Sequence, residues 1–402
     1  MFDAFGVMRP ARTVLFGDGQ RRAVGRVAAG FGKRALVCTD ERFAATQEMA
    51  ELKSLMEAQG IEVRIFDGTE PELPIAGVQE CAEAYRDFAP TVIVGVGGGS
   101  CLDLAKLVSL LLAHGGSLPD YYGEMKVPGP IIPVVAIPTT AGTGSEVTPV
   151  AVLADSEREL KVGVSSPFLV PEAAICDPEL TITCPTSLTA IAGADALTHA
   201  LEAYTAIRHS PSSEIAFERV FVGKNVMSDY HALEAIRAIS QALPKAVANG
   251  SDLEARRMMM YGSVVAGLAF GVAGTAAAHA IQYPVGALTK TAHGLGVAAL
   301  MPFVMRFNRP QCTNEFAQIA RAMGAETQLD EDALADMAIE NVCALFSSIG
   351  IPQTLGELGV PGDRLDWIAE KALLAGRLVN NNPRPLDLES VRQIVDDAHT
   401  GL

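Results

Sequence analysis

One acidic and three histidine side chains in the C-terminal half of the sequence could hold a divalent metal ion. Asp195 and His199 stand four residues apart in a segment of good helix formers, so both project from one helical face. His279 lies in a stretch without charged residues, and His293 opens a short glycine-containing segment. One carboxylate and three imidazoles suit a borderline divalent cation and leave room for a substrate oxygen. Each histidine taken alone is more often a hydrogen-bonded core residue, so it is the combination that favours a metal site.

A second set of residues has the chemistry of a dinucleotide site. A buried-strand pattern from Thr91 runs into Gly97, Gly98, Gly99 and Ser100, and a helical pattern follows. Glycines at this point let the backbone approach a pyrophosphate, while the helix N-terminus supplies N–H donors. The order of the glycines differs from the ordinary dinucleotide fingerprint, and a tight turn without a ligand is the alternative.

Three further features accompany this turn. The loop Pro138–Thr148 collects hydroxyls and small residues that can donate to phosphate, ribose or adenine, although a Ser/Thr turn without a ligand has the same composition. Asp40 follows a strand pattern, where a carboxylate can accept from both ribose hydroxyls of an adenosine and repel a 2′-phosphate. A helix N-cap is the competing interpretation of Asp40. Asp103 and Lys106 lie on the first turns of the helix after Ser100, either at the cofactor or on a solvated face.

The elements that position these residues follow two patterns. Through the first half, short β-rich runs alternate with helical segments, which predicts a mainly parallel sheet covered by helices on both faces. The predicted strands are Arg12–Phe16, Ala35–Thr39, Val63–Phe66, Thr91–Val96, Pro133–Pro138 and Ala173–Asp177. After Pro185 strand-like runs nearly vanish, and the chain is predicted to be helical. We therefore predict an α/β domain over residues 1–185 and an all-α domain over residues 186–402, with ligands in the cleft between them.

Composition limits the classes of partner. A net charge of −16 disfavours binding to nucleic acid or to an anionic membrane surface. Tyr261–Thr289 contains no Asp, Glu, Lys or Arg, but glycines, Pro284 and His279 interrupt it, so a buried pair of close-packed helices explains it better than a membrane span. The seven scattered cysteines lack a CxxC pair, and the N-terminus shows no secretory signal. We therefore expect a cytoplasmic protein with reduced thiols, and we expect it to form a homodimer or a higher homo-oligomer.

Taken together, these motifs resemble those of the iron-containing (group III) alcohol dehydrogenases, over nearly the whole length from Arg12. The segments that carry the resemblance are Gly97–Lys106, Pro138–Thr148, Asp177–Thr181, Gly193–Tyr204 and His293–Gly294. The resemblance implies a Rossmann-like N-terminal domain with a parallel sheet, followed by an all-α domain, which is the architecture of dehydroquinate synthase. It also implies NAD(P) and a divalent metal in the cleft.

The resemblance implies a role for particular residues. The metal ligands would be Asp195, His199, His279 and His293. The cofactor contacts would be Gly97, Gly98, Gly99 and Ser100 for the pyrophosphate, Thr139, Thr140 and Thr143 for the adenosine side, and Lys161 for the nicotinamide ribose. Asp40 matches the position that favours NAD over NADP. The metal would be Fe(II), with Zn(II), which the aqueous affinity order favours at the same ligands, or Mn(II) as alternatives.

Three features depart from the family pattern. Many members have a second histidine four residues after the third ligand, where this chain has Tyr283, which could fill the same space and take part in catalysis. Glu72 stands where many members have asparagine, which would alter contacts to the cofactor. Residues 208–230 are longer than the usual connection after the His199 helix, and we interpret them as an insertion near the domain cleft or a subunit contact.

The reaction that the resemblance implies is reversible hydride transfer between a primary alcohol, or its aldehyde, and NAD(H), with the metal as Lewis acid. The alternative from another class is a metal- and NAD-dependent lyase of dehydroquinate synthase type, which would form no net NADH. The segment Gly193–Tyr204 matches the alcohol dehydrogenases better than the lyase. Glycerol dehydrogenase and maleylacetate reductase are closer relatives, which differ from this interpretation only in substrate.

Overall fold

The computed structural model of the chain describes residues 5–155, 157, 160–325 and 328–401. The chain forms two compact units. The first, which we call the α/β unit, comprises residues 9–184 and 217–220, and the second, the helical unit, comprises residues 5–8, 185–216 and 221–401. The chain passes from the α/β unit to the helical unit between Cys184 and Pro185. Residues 5–8 precede this point but belong to the helical unit, and residues 217–220 follow it but belong to the α/β unit.

The α/β unit is built on a six-stranded parallel sheet. The strands of the chain are β1 (Thr13–Phe16), β2 (Arg34–Cys38), β3 (Glu62–Phe66), β4 (Val92–Gly97), β5 (Gly123–Glu124), β6 (Val134–Pro138), β7 (Val150–Asp155), β8 (Leu160–Ser165) and β9 (Ala173–Cys176). The order in the large sheet is β1-β9-β6-β4-β2-β3, and every neighbouring pair is parallel. The central strands β4 and β6 are apolar and buried throughout, as strands covered on both faces must be. The predicted α/β fold with a parallel sheet is confirmed.

A second sheet of three strands, ordered β5-β8-β7, lies outside the predicted strands. β7 and β8 form an antiparallel hairpin in which Ala154 pairs with Lys161 and Val152 pairs with Gly163. Buried and less buried side chains alternate along β7, the pattern of a strand covered on one face. This hairpin determines the position of Lys161.

Helices cover both faces of the large sheet. They are α1 (Val24–Ala29), α2 (Glu41–Ala44), α3 (Gln47–Glu57), α4 (Ile75–Ala84) and α5 (Gly99–His114). One apolar core contains Val24 of α1 and Met49 of α3, and the other contains Val78 of α4 and Leu104 of α5. Each core joins one face of the sheet to its own helices, the arrangement of a doubly wound α/β fold.

The helical unit contains the remaining helices. They are α6 (Thr186–Thr205), α7 (Ile215–Glu218), α8 (Val226–Ala248), α9 (Leu253–Ala273), α10 (Ala277–Thr289), α11 (His293–Asn308), α12 (Thr313–Ala322), α13 (Glu331–Ser348), α14 (Leu365–Ala372), α15 (Gly376–Asn380) and α16 (Leu388–Thr400). Of these, α7 is divided between the two units, since its last two residues, 217 and 218, belong to the α/β unit. Among its described residues the only β pairing is a single bridge between Arg208 and Gly223. Helix α6 packs against α8, α9 and α11 and so lies at the centre of this unit. The predicted change to an all-α second half is confirmed.

The uncharged stretch 261–289 falls in α9 and α10. Within the described part of the chain no single helix has the length and hydropathy of a membrane span, and only α9 and α10 taken together do, across a bend of 101°. Most residues of both helices are buried. The two helices are not packed side by side as predicted, because α9 packs on α6 and α8 whereas α10 packs on α11 and α14.

The predicted insertion includes a loop that is closed at its base. The backbone N–H of Lys224 donates to the Ile207 carbonyl at 3.0 Å, beside the bridge between Arg208 and Gly223. Within the loop, residues 217–220 belong to the α/β unit, where the Val220 N–H donates to the Glu124 carboxylate at 2.8 Å. The location of the insertion at a cleft or a subunit contact stays a prediction.

Candidate functional site

Helix α6 presents three ionisable side chains on one face. Asp195, His199 and Glu202 are separated by four and three residues, the spacing of neighbouring turns. The surrounding sequence is rich in Ala and Leu, which favour the helix, and all three side chains are buried. A buried carboxylate or imidazole is costly unless it is bonded, so these side chains require partners.

Helix α10 supplies the partners of Glu202. Glu202 Oε2 accepts from Ala276 N at 2.8 Å and from His279 Nδ1 at 2.6 Å, and Oε1 accepts from Ala278 N at 2.7 Å. Helix α10 has no side-chain cap of its own, so Glu202 caps its N-terminus from the neighbouring helix. Burial opposes ionisation of Glu202, but attraction to the His279 ring and these hydrogen bonds outweigh it, so the pKa of Glu202 is lowered.

Asp195, His199 and His279 converge on one point. Their ligand atoms all lie within 4.8 Å of one another. Asp195 Oδ1 is 3.7 Å from His199 Nε2 and 3.8 Å from His279 Nε2, beyond hydrogen-bonding distance. Asp195 Oδ1 and His279 Nε2 are buried, and neither has a hydrogen-bond partner among the residues that the structure describes. The structure thus brings together three of the four predicted metal ligands.

His293 lies next to this cluster, at the first residue of α11. Its ring centroid is 5.3 Å from that of His279, and its side chain is only partly buried. A β-carbon on the following residue, Gly294, would lie 2.8 Å from the Ile191 carbonyl oxygen, so the absence of a side chain lets α11 approach α6. The cluster of three ligand atoms does not include His293, and its role as fourth ligand stays a prediction.

Tyr283 lies one turn after His279 on α10, where it replaces the second histidine of the family pattern. Its ring centroid is 6.3 Å from that of His293. Burial raises the pKa of the Tyr283 phenol, and the charge of Arg377 only partly offsets this. The phenol therefore keeps its proton at neutral pH and can act as a hydrogen-bond donor beside His293. Its part in catalysis stays a prediction.

The cluster on α6 and α10 fits a divalent cation. Tetrahedral ligands about 2.1 Å from a cation lie about 3.4 Å from one another, slightly closer than the 3.7 and 3.8 Å between the atoms described above. A carboxylate and neutral imidazoles are donors that both Zn(II) and Fe(II) accept. His199 is further fixed by stacking on Phe270 of α9, with ring centroids 4.2 Å apart. The donor types, their spacing and the unbonded buried atoms all agree with a bound cation.

In the α/β unit, β4 runs into α5 through the predicted glycine turn. Gly97 has a φ of 148°, and a β-carbon there would lie 2.5 Å from Cys101 Sγ. Gly98 precedes the first helical residue, Gly99, and Ser100 lies in the first turn of this 16-residue helix. The first N–H groups of a helix have no acceptor within it and, together with the helix dipole, favour an anion such as pyrophosphate.

The loop after β6 packs against the same turn. The backbone N–H of Thr139 donates to the Gly97 carbonyl at 2.9 Å. Thr139 Oγ1 is buried and has no hydrogen-bond partner among the described residues. A β-carbon on Gly99 would lie 2.7 Å from Thr143 Cγ2, and one on Gly98 would lie 3.6 Å from Thr140 Oγ1. The three predicted threonines therefore all lie beside the glycine turn.

Asp40 follows β2 and lies beside the glycine turn as well. Its Oδ1 accepts from Phe43 N at 2.9 Å as the N-cap of α2. Its Oδ2 is 3.8 Å from the thiol of Cys101, which donates to it, and would be 3.6 Å from a β-carbon on Gly97. Burial and the Asp40 charge raise the pKa of Cys101 to about 12, so the thiol keeps the proton that it donates. Asp40 therefore caps a helix and also faces the glycine turn, so the two interpretations are compatible.

Asp103 is held by neighbouring protein groups. Its Oδ1 accepts from Ser145 Oγ at 2.6 Å, and its Oδ2 accepts from Val152 N at 2.9 Å. Burial raises the pKa of Asp103 although the charge of Lys106 opposes this. These bonds tie α5 to β7 and to the loop that precedes it. The predicted contact between Asp103 and the cofactor stays a prediction.

Lys106 and Glu146 are buried beneath the same loop. Lys106 is 0% exposed, and its Nζ donates to Thr148 O at 3.0 Å and to Val150 O at 2.8 Å, so it is not on a solvated face. Burial lowers the pKa of Lys106 to about 8. Glu146 is 1% exposed, and within the described part of the chain its Oε1 has no hydrogen-bond partner. Burial raises the pKa of Glu146 to about 7.

Lys161, on β8, forms an ion pair with Glu72. Glu72 and the following Leu73 both have positive φ, at 64° and 48°, in a backbone region that residues other than glycine seldom adopt. The Ala154 N–H donates to the Leu73 carbonyl at 2.9 Å and so holds this turn against β7. Glu72, which stands where many family members have asparagine, is therefore paired with Lys161, the lysine that the resemblance assigns to the nicotinamide ribose.

Glu202 bonds His279 and Cys101 bonds Asp40, although neither Glu202 nor Cys101 is among the predicted site residues. Glu202 had a local signal, because a carboxylate three residues after His199 in an apolar helix must be paired if it is buried. Cys101 had none, since its partner Asp40 lies 61 residues away in the sequence.

The comparisons with known proteins agree with this geometry. Residues 11–178 match the family model "Iron-containing alcohol dehydrogenase", and residues 189–399 match "Fe-containing alcohol dehydrogenase family, C-terminal". The chain belongs to the iron-containing alcohol dehydrogenase family. The two matches cover most of the α/β unit and of the helical unit.

Relatives of this iron-containing alcohol dehydrogenase cover nearly the whole chain. Long-chain-alcohol dehydrogenase 1 of Geobacillus thermodenitrificans is 38% identical over 373 residues, which is 92% of this chain and 90% of that protein. NAD-dependent methanol dehydrogenase of Bacillus methanolicus is 36% identical over 386 residues, 96% of this chain and 97% of that one. The crystal structure of a 1,3-propanediol oxidoreductase superposes with a TM-score of 0.91 at 36% identity, covering 99% of this chain and 100% of that one.

These findings confirm the predicted family and enzyme class. The protein is a metal-dependent oxidoreductase of the alcohol dehydrogenase type. No finding favours the lyase alternative.

Proposed function

We propose that this iron-containing alcohol dehydrogenase catalyses reversible hydride transfer between a primary alcohol, or its aldehyde, and NAD(H). The observation that carries the proposal is the convergence of Asp195, His199 and His279 with buried ligand atoms, two of which, Asp195 Oδ1 and His279 Nε2, have no hydrogen-bond partner. A divalent cation bound there supplies Lewis acidity toward the oxygen of an alcohol or aldehyde. We assign His293, beside the cluster, as the fourth ligand.

The side chains of the helical unit would prepare this site. Asp195 contributes a negative charge that attracts a cation, while the neutral rings of His199 and His279 contribute lone pairs. Burial of these groups and the stacking of Phe270 on His199 exclude water, which strengthens electrostatic interactions within the site. Tyr283 offers a phenol that keeps its proton beside His293 and would donate a hydrogen bond during turnover.

The α/β unit would bind NAD, which supplies the hydride acceptor. Gly97, Gly98, Gly99 and Ser100 would receive the pyrophosphate, Thr139, Thr140 and Thr143 would line the adenosine side, and Lys161 would approach the nicotinamide ribose. Asp103 would support the first turn of α5 at this place. Asp40 would accept from a ribose hydroxyl and repel a 2′-phosphate, which favours NAD over NADP. The name of the Bacillus methanolicus relative, an NAD-dependent dehydrogenase, supports this choice of cofactor.

Fe(II) is the metal that we propose, on the basis of the family. Zn(II) and Mn(II) are the alternatives, because a carboxylate and imidazoles do not separate these ions. We propose primary alcohols as the substrate class, since the relatives are named for methanol, long-chain alcohols and 1,3-propanediol. We also propose a cytoplasmic location and a homodimer or higher homo-oligomer, with residues 1–185 as the NAD-binding domain and 186–402 as the catalytic domain.

A substrate screen with defined metals tests the proposal. Metal-stripped protein is supplied with Fe(II), Zn(II) or Mn(II) and then assayed with NAD or NADP against short alcohols, diols and hydroxyacids. We expect stoichiometric NADH formation from at least one primary alcohol, only with metal present. Turnover of a substrate without net NADH would support a lyase, and full activity in the stripped protein would contradict the metal site.

A further inference from the structure

Glu202 determines which nitrogen of His279 is available to a metal. We propose that Glu202 is a positioning residue: by accepting the Nδ1 proton of His279, it holds the ring in the tautomer and orientation in which Nε2 faces Asp195. This inference rests on the metal site proposed above, and it adds a residue that is neither among the predicted site residues nor in the cluster of ligand atoms.

The hydrogen bonds of Glu202 select one tautomer of the neutral His279 ring. Both carboxylate oxygens are occupied by N–H donors, since Oε1 accepts from Ala278 N and Oε2 accepts from Ala276 N and from His279 Nδ1. A carboxylate carries no proton to donate, so His279 Nδ1 must be the donor. The neutral ring then has its lone pair on Nε2, which lies 3.8 Å from Asp195 Oδ1 and has no hydrogen-bond partner.

The same carboxylate also fixes the location of the ring. His279 lies in the first turn of α10, and Glu202 bonds the backbone of that turn as well as the side chain. Glu202 stands on the helix that carries Asp195 and His199. The distance between the ligand on α10 and the two ligands on α6 is therefore set through one buried side chain, whose exposure is 1%. Side chains that orient a ligating histidine in this way contribute to metal affinity without touching the metal.

Replacement by glutamine changes the chemistry at this point and almost nothing else. The amide of Glu202→Gln has one accepting oxygen and one NH₂ group, whereas all three neighbours are donors. If the NH₂ group takes the Oε2 position, it opposes the Ala276 N–H and can bond His279 only when Nδ1 is the acceptor, which puts the proton on Nε2 and blocks ligation. If it takes the Oε1 position, it opposes the Ala278 N–H and strains the start of α10. Both outcomes weaken the metal site.

The test combines the tautomer of His279 with the affinity for a cation. Wild type, Glu202→Gln and Glu202→Asp are compared with Thr205→Val, a control on the same helix that loses a buried hydroxyl bonded at 2.8 Å to Leu201 O. The tautomer is measured by ¹⁵N NMR of histidine-labelled metal-free protein, with the His279 signal assigned by its loss in His279→Gln. The dissociation constant for Zn(II) is measured by competition with a chelator.

We expect the Nδ1–H form in wild type and in Thr205→Val, with the same affinity for Zn(II). Glu202→Gln should shift the ring toward the Nε2–H form and weaken Zn(II) binding by about 10- to 100-fold. Glu202→Asp keeps a carboxylate and should retain the Nδ1–H form with a smaller loss of affinity. An Nε2–H ring in metal-free wild type would overturn the inference even if Glu202→Gln does not fold, and so would unchanged affinity in Glu202→Gln. If the wild-type protein has the Nδ1–H ring but binds neither Zn(II), Fe(II) nor Mn(II), the result would instead contradict the proposed metal site itself.

Discussion

The backbone of Gly294 lies directly against the side chain of Asp195: a β-carbon on Gly294 would stand 2.9 Å from Asp195 Cβ. The Ile191 carbonyl of the same helix would be equally close, at 2.8 Å, so the crowding involves backbone that cannot move aside. Gly294→Ala should push the start of α11 away from α6 and carry His293 with it. We expect a loss of about 1–3 kcal/mol in the free energy of unfolding and at least a tenfold weaker affinity for Zn(II). Gly376→Ala, where no atom lies within 4 Å of the new β-carbon, is the control. Affinity equal to wild type in Gly294→Ala would count against His293 as a ligand.

His279→Ala removes the one ligand that α10 supplies to the cluster. The change should abolish both retention of the metal through gel filtration and turnover of alcohol, because it removes one of the four ligands that we propose and leaves a gap beside the cation that water can enter. Metal content and NADH formation are measured on the same sample. His231→Ala is the matched control, since His231 hydrogen-bonds to Met227 O of its own helix and lies outside the cluster of ligand atoms. Turnover that persists in His279→Ala would exclude this histidine from the site.

Substitutions of Asp40 should change the preference for NAD over NADP with little change in the stability of the protein. Asp40→Asn keeps an N-cap oxygen for Phe43 N but removes the negative charge that faces Gly97. We expect the ratio of kcat/KM for NADP to that for NAD to rise, with an unchanged Tm. Asp40→Gly should raise the same ratio at a cost of only a few tenths of a kcal/mol in stability. A ratio that stays constant in both variants would remove Asp40 from the cofactor site.

The glycine turn offers a test of the pyrophosphate site. Gly97 has a φ of 148°, which an alanine adopts only with strain, and its new β-carbon would meet Cys101 Sγ at 2.5 Å. We expect Gly97→Ala to raise the dissociation constant for NADH at least tenfold, measured by the fluorescence of the bound dinucleotide. Gly77→Ala, in α4 of the same unit, meets no atom within 4 Å and should leave NADH binding unchanged. It should also stabilise the protein by about 0.5–1 kcal/mol, because alanine favours a helix.

The buried Glu146 makes stability depend on pH. Burial raises its pKa to about 7 from an ordinary value of 4.5, so between these values the folded protein binds more protons than the unfolded chain. The free energy of unfolding must therefore fall as pH rises from 4.5 through 7, and the loss is complete above pH 7. At about 1.4 kcal/mol per pKa unit, the contribution reaches up to about 3.5 kcal/mol. Glu146→Gln should remove this part of the slope in urea titrations at pH 5 and pH 8, while the exposed Glu80→Gln should keep it. An identical slope in Glu146→Gln and wild type would show that the carboxyl is ionised throughout.

The parallel sheet and the glycine turn could be predicted because their signals are local. Apolar runs such as Val92–Gly97 end in glycines, and the helix that follows starts at once, so element and site lie in one stretch of sequence. The β7–β8 hairpin had no comparable signal, because the chain between its strands is charged and the sequence of β7, Val-Ala-Val-Leu-Ala-Asp, does not alternate between apolar and polar residues. Because the hairpin was not predicted, the contact between Lys161 and Glu72 could not be predicted either.

The metal cluster could be predicted only in part from spacing. Asp195 and His199 share a helical face because they are four residues apart. Nothing local connects them with His279, whose bond to Glu202 spans 77 residues of sequence. The donor types alone suggest that the two segments share a cation, and the family resemblance assigns the ligands. The role of Glu202 depends on where α10 begins relative to α6, which is a property of tertiary packing.

The path of the chain through the two units limits how the protein can be divided. The helical unit includes residues 5–8, whose Phe5 carbonyl accepts from Val226 N, and the α/β unit includes residues 217–220. A single cut before Pro185 would therefore leave each half without a segment that the other half carries. We therefore expect each half, expressed alone, to be less stable than the corresponding unit of the intact chain.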